Sequence, residues 1–322
     1  MSHPATKQYS YSTQLGFLIA FLCVGFIIGT IASLIPLLGK ISLADLQSGS
    51  SDKIMDKLLA PENTSRMMWV QFISTFFLFF LPAVFYALIC HKKPFTHLGF
   101  AHTVGIKEII IVVAIIVACM PLVDVLSELT LKLPFPKAVL KHFQDVEDNY
   151  DKQVGAFTQM KTFGDYILSL IVIAFLPALF EETLFRGGIQ NLLTRWTKIP
   201  VLAITITAIL FSAAHFSYIG FLSRVALGFV LGWIYYRTGN IWLNIIGHFT
   251  NNAIAVTGIY IGIKDFSFPL WTGLVSLAVV YLLFIVFENF CKKDIDHPGE
   301  EVLIPGYNYY NPFETEQKGN LN

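Results

Sequence analysis

The stretch Leu179–Gly188 reads LFEETLFRGG, and it continues an almost unbroken apolar run, YILSLIVIAFLPALF, over Tyr166–Phe180. Two adjacent glutamates and an arginine therefore sit where a membrane helix should be purely apolar. Placing Asp, Lys or Arg at the centre of such a helix costs about 2.5–3.5 kcal/mol each on insertion scales, and a glutamate should be similar. Groups of this kind persist when they pair, line a polar cavity or do chemistry.

The rest of the chain supports the membrane reading. Of its 322 residues, 55% are hydrophobic and only 14% charged. That is roughly half the share of about 25% that a soluble domain carries. Lys+Arg and Asp+Glu balance at 22 each. No charge excess points to nucleic acid, and none is expected as a partner. Cys23, Cys90, Cys119 and Cys291 lie in or beside apolar segments without CxxC pairing. They read as small apolar fillers rather than a disulfide framework or a thiolate zinc site.

A spanning helix needs about 20 mostly apolar residues. By that rule about eight segments qualify: Thr13–Leu38, Met67–Cys90, Lys107–Leu129, Gly164–Leu193, Ile199–Ser217, Gly220–Tyr236, Ile241–Ile261 and Phe268–Phe290. The expected fold class is all-α, a polytopic membrane bundle around a buried polar cavity. Residues 1–290 read as one integral membrane domain with its core at about 164–261, and residues 291–322 as a polar tail. The first run is too long for a signal-peptide core and reads as a retained anchor. Within the long connection Lys132–Lys161, Val139, Leu140, Phe143 and Val146 share one helical face, as in a helix lying along a surface.

Lys7, Lys92, Lys93, Arg195, Lys198, Arg237, Lys292 and Lys293 all fall on one side if the N-terminus is cytosolic. Both termini are then expected in the cytosol, and the general look of the chain favours a bacterial inner membrane. The sequon Asn63-Thr64-Ser65 on the outer side is of a kind frequent by chance and means nothing in a bacterial cell.

Once the connections are set aside, few strongly polar residues remain in the spans. They are Glu181, Glu182, Arg186, His215, Arg224, Asn244, His248, Asn251 and Asn252, all on consecutive segments. Residues four apart share a helix face, which pairs Glu182 with Arg186 and leaves Glu181 about 100° away. Phe211 and His215 share a face on the same rule, as do Asn244, His248 and Asn252. Pro177 leaves the Ile173 carbonyl without its helical donor, and a kink there would widen a cavity. Two acids, two imidazoles and an amide can take a proton from water and steady an oxyanion. Arg224 reads as an interface residue or the counter-ion of an acid. His91, His97, His102 and His142 lie in connections and read as solvated.

These residues resemble a known family. EETLFR (Glu181–Arg186), FSAAH (Phe211–His215) and HFTNN (His248–Asn252) are similar to the EExxxR, FxxxH and HxxxN motifs of the CPBP intramembrane proteases. This is the CAAX-processing endopeptidase and bacteriocin-processing family, also called Abi. The resemblance covers roughly Gly164–Ile261. It implies an eight-helix bundle that hydrolyses peptide bonds in the membrane, with lipid around it and a membrane-associated, prenylated or other peptide as substrate. Carried over, Glu181 is the general base and His215 its partner. His248 and Asn252 steady the oxyanion, and Glu182 and Arg186 support them.

Two questions stay open at this level. Glu181, His215 and His248 could instead hold a catalytic zinc, leaving its fourth position to water. No HExxH pair decides it, and we favour the metal-free route because Asn252 is a poor zinc ligand and a good oxyanion donor. A transporter or a non-catalytic immunity protein is the rival function. The polarity sits only in the C-terminal half, which argues against a two-fold transporter repeat.

Overall fold

The computed structural model describes residues 9–40, 51–91, 93–100, 103–263 and 267–295. Lys7, Lys92, His102 and all but the first five residues of the polar tail lie outside them. The described residues are helical, with no strand among them. Every apolar segment read from the sequence falls on a helix, and the chain is an all-α polytopic membrane protein.

The helices are α1 (Tyr11–Leu37), α2 (Ser51–Leu58), α3 (Pro61–Cys90), α4 (Ile106–Leu131), α5 (Lys137–Phe157), α6 (Phe163–Thr197), α7 (Pro200–Ala213), α8 (Phe221–Thr238), α9 (Ile241–Tyr260) and α10 (Trp271–Ile295). Five of the eight expected spans, α1, α3, α4, α6 and α10 up to Phe290, are long and apolar enough to cross a bilayer. The other three, α7, α8 and α9, are shorter or more polar. α8 and α9 carry intramembrane polar residues, and α7 stops early. It ends at Ala213, not Ser217, so His215 stands in the turn beyond it.

Two apolar clusters flank the centre. One joins Val112, Ile115 and Ile116 of α4 to Leu227 and Leu231 of α8, Leu243 of α9 and Phe287 of α10. The other joins Leu18 of α1, Tyr86 and Ala87 of α3, Leu184 and Phe185 of α6, and Phe211 of α7. Lipid is as apolar as leucine, so close packing rather than the hydrophobic effect holds these helices together. Gly25 shows it: a Cβ there would meet the Phe77 carbonyl oxygen at 2.2 Å, so α1 lies directly against α3. Away from these seams Phe26, Ile31, Leu274 and Tyr281 are exposed, as lipid-facing residues should be.

Two helices widen to π geometry just before a proline, at Phe76–Phe80 ahead of Pro82 and at Leu170–Phe175 ahead of Pro177, whereas α4 stays α-helical across Pro121. A wider turn accommodates the missing N–H and the ring clash. α6 has a second π segment at Thr183–Gln190. The α-helical turns Leu176–Glu182, which carry both glutamates, are thus bracketed by two π segments.

Outside the spans, α5 is the expected amphipathic helix, with Val139, Leu140, Phe143 and Val146 half-buried on one side. The solvated reading of the loop histidines is corrected for His91 and His97, while His142 is exposed as expected. His97 is buried, and its ring stacks on His91 with centroids 3.4 Å apart. The chain from Pro94 to Leu98 turns inward, and Asn191 of α6 donates to the His97 carbonyl at 2.8 Å. Burial, with the Arg195 charge beside it, pushes the His91 imidazole down to about 3. Asn63 of the sequon is buried, and its amide donates to the Lys57 carbonyl. Cys23, Cys90 and Cys119 are free thiols.

Candidate active site

The site forms where α6, α7 and α9 meet. Glu182 and Arg186 make the expected pair, with Arg186 Nη1 donating to Glu182 Oε1 at 2.9 Å and both side chains essentially without exposure. The helical spacing brings them together even though Arg186 lies within a π segment. Arg186 also donates to the Gly228 carbonyl of α8 and lies over the Phe211 ring at 4.9 Å. A buried arginine is tolerable because its positive charge has a carboxylate, a carbonyl and a ring face around it.

Glu182 does more than pair with Arg186. Its Oε1 lies 2.8 Å from His248 Nδ1, and Asn244 donates to its Oε2 at 3.4 Å. Asn244 also donates to the Leu231 carbonyl at 2.7 Å. One turn along, Gln190 donates to the Gly232 carbonyl at 2.8 Å. Arg186, Asn244 and Gln190 thus grip three carbonyls on one side of α8. The motif reading gave Asn244 and Gln190 no part in this. Their partners are backbone carbonyls of another helix, which leave no mark in sequence spacing. Asn244 alone was traceable, as the first member of the stripe with His248.

The tautomers follow from the partners. A carboxylate ion-paired to arginine accepts, so His248 Nδ1 carries a proton and donates it to Glu182. A carbonyl oxygen can only accept, so His215 Nδ1, 2.9 Å from the Phe211 carbonyl, also carries its proton. In the neutral form each ring then presents a bare Nε2. Both point at one atom: Glu181 Oε2 lies 3.9 Å from His215 Nε2 and 3.8 Å from His248 Nε2. That oxygen is buried and has no hydrogen-bond partner. An unpaired buried carboxylate oxygen is costly. The separations are too long for direct hydrogen bonds and suit an intervening water.

The structure therefore brings Glu181, Glu182, Arg186, His215 and His248 into one constellation. Asn252 stands one turn from His248. Its amide makes a long bond of 3.4 Å to the Ala174 carbonyl, beside the Pro177 distortion, and its oxygen accepts from Asn251. Arg224 donates to the Ser217 carbonyl at 2.7 Å, and its charge lies within electrostatic reach of His215.

The donor types and tautomers of Glu181, His215 and His248 are those a zinc ion takes, and the side chains as they stand are spread somewhat wider than its ligand shell. Ligands of a tetrahedral zinc with bonds of about 2.0–2.1 Å stand about 3.3 Å apart. Here the acid–imidazole separations are 3.8 and 3.9 Å. Among the described residues no three His, Cys, Asp or Glu side chains are gathered closely enough to hold a metal ion.

Comparison with known proteins matches part of the chain. The uncharacterized protein YpbD of Bacillus subtilis (strain 168) is 33% identical over 89 residues, which cover 26% of this chain and 42% of that protein. The chain thus spans less than half the length of this curated relative. No solved structure matches the chain. The likeness read from the three motifs is shown over the residues that carry them: residues 163–254 match the family of type II CAAX prenyl endopeptidase Rce1-like proteins.

Proposed function

We propose that this chain is an intramembrane endopeptidase that hydrolyses peptide bonds with a water activated by Glu181 and His215. The single observation supporting the reading is the unpartnered Glu181 Oε2, buried and faced by two imidazole nitrogens. Three acceptor atoms converge there, and one water has only two protons to give. Glu181 Oε2 and His215 Nε2 take those two hydrogen bonds, which aims an oxygen lone pair at the scissile carbonyl. The third acceptor, His248 Nε2, serves when its ring carries a second proton, and it then donates to the developing oxyanion. Asn252 has a second amide hydrogen available to share the oxyanion.

The water O–H bond breaks, its proton goes to Glu181, and its oxygen bonds to the carbonyl carbon. When the tetrahedral intermediate collapses, the C–N bond breaks and the proton passes to the leaving amine. Zinc held by Glu181, His215 and His248 would be another way to lower the pKa of that water, and no step here runs through it.

The substrate class is a membrane-associated peptide or protein, prenylated or not. Membrane proteomics of cells with wild type or Glu181→Gln tests the reading. Fragments present only with wild type are expected, and identical fragment patterns would leave a non-catalytic immunity or transporter role. The proposed setting is a bacterial inner membrane with both termini cytosolic. Reporters fused after Lys93, after Lys198 and at the C-terminus should all read cytosol, and one outside would overturn that topology.

A further inference from the structure

His215 has no helix to hold it. α7 ends two residues earlier, and the chain then turns sharply, with Phe216 at φ 52° and its side chain 85% exposed. A bulky residue in the left-handed region is strained and persists only where its surroundings over-determine it. Burial of Phe216 is not the cause, so the restraint must come from its neighbours.

Those neighbours are held from two sides. Ser217 is buried and gripped at both ends. Its hydroxyl donates to Glu147 Oε2 of α5 at 2.7 Å, and its carbonyl accepts from Arg224 Nη2 of α8 at 2.7 Å. Glu147 in turn lies within electrostatic reach of the Arg224 guanidinium. The next residue, Tyr218, stacks on Phe143 of α5 with centroids 3.9 Å apart and planes 10° from parallel. Phe135, just ahead of α5, meets the same ring edge-on. Gly220 makes the arginine's route possible, since a Cβ there would stand 2.4 Å from Arg224 Nη1.

We propose that Glu147 is a positioning residue for His215, acting through Ser217, and that α5 is a latch docked on the turn that carries this imidazole. The proposal rests on the reading of His215 as a group that touches the attacking water. The amphipathic surface helix, otherwise an ordinary loop helix, thereby sets how firmly His215 Nε2 faces Glu181. Release of α5 would let the Phe216 strain relax and carry the ring out of line.

The test needs no substrate. The full-length protein is purified in detergent and treated with diethyl pyrocarbonate, which acylates bare imidazole nitrogens. Rates at His215 and His248 are read by peptide mass spectrometry. Glu147→Ala removes the acceptor. Gly220→Ala displaces only the flexible end of Arg224 and so spares the fold. Each should speed His215 modification by about five-fold or more, as local opening of the turn requires, with His248 held within about two-fold. Glu147→Gln keeps an acceptor oxygen and should stay near wild type. Equal His215 rates in all four proteins, or a rise shared by His248, would overturn the latch. In cells, the fragments that vanish with Glu181→Gln should fall several-fold with Glu147→Ala and return with Glu147→Gln. Unchanged fragments with Glu147→Ala would overturn the positioning role. If no fragments exist at all, the protease reading fails while the acylation rates still judge the latch.

Discussion

The two glutamates are chain neighbours in opposite situations. Glu182 is fully buried and bound to Arg186, His248 and Asn244 at 2.8–3.4 Å. Glu181 faces His215 and His248 from 3.8–3.9 Å with its Oε2 unpartnered. The difference follows from the turn between successive helical residues, which aims one carboxylate into the α8–α9 seam and the other toward the end of α7. One half of the constellation is closed by hydrogen bonds, and the other leaves a buried carboxylate oxygen unpartnered. A satisfied network fixes geometry, and an unsatisfied buried group beside it calls for an explanation, which is the role proposed for Glu181.

The largest expected effect breaks the open half. Glu181→Gln should lower cleavage by about 10²–10⁴-fold, the usual worth of a general base. Its unfolding midpoint should stay near wild type, because no bond of Oε2 is lost. Wild-type cleavage by this variant would remove Glu181 from the mechanism.

The next prediction concerns what occupies that space. Purified active protein should contain no stoichiometric zinc by elemental analysis, and chelators should leave cleavage intact. Zinc at one per chain, whose removal stops cleavage and whose return restores it, would recast His215 and His248 as ligands.

A change on the rigid side should read out as stability. Glu182→Gln leaves the Arg186 charge buried without its carboxylate, at a cost of about 3–5 kcal/mol. Denaturation in mixed micelles measures it, and a stable, fully active variant would show that the network does not depend on this charge. Asn244→Ala is milder. Interhelical hydrogen bonds in membranes average about 0.6 kcal/mol and reach about 1.7. A loss in that range is expected, with cleavage lowered in proportion to any loosening of Glu182. A loss as large as that of Glu182→Gln would mean that Asn244 orients the carboxylate rather than merely supporting it.

The sequence by itself determined the helices, the three motifs and the Glu182–Arg186 pair. Each depends on local rules: a run of apolar residues long enough for a bilayer, or the four-residue repeat of one helix face. It also marked the segment that matches the Rce1-like family. Tertiary structure decided the rest. The apolar pattern carries α7 on through Ser217, with no glycine or proline to stop it before Gly220. The helix ends at Ala213, and Glu147 and Arg224, from two other helices, bond Ser217 in the turn beyond it. His97 is buried, with Asn191, 94 residues away, donating to its carbonyl. Which nitrogen of each imidazole is bare was set by an acceptor across the fold for His248 and by the end of its own helix for His215. Periodicity describes one helix at a time, whereas these outcomes depend on which backbone carbonyls and charges a neighbouring helix brings within hydrogen-bond reach.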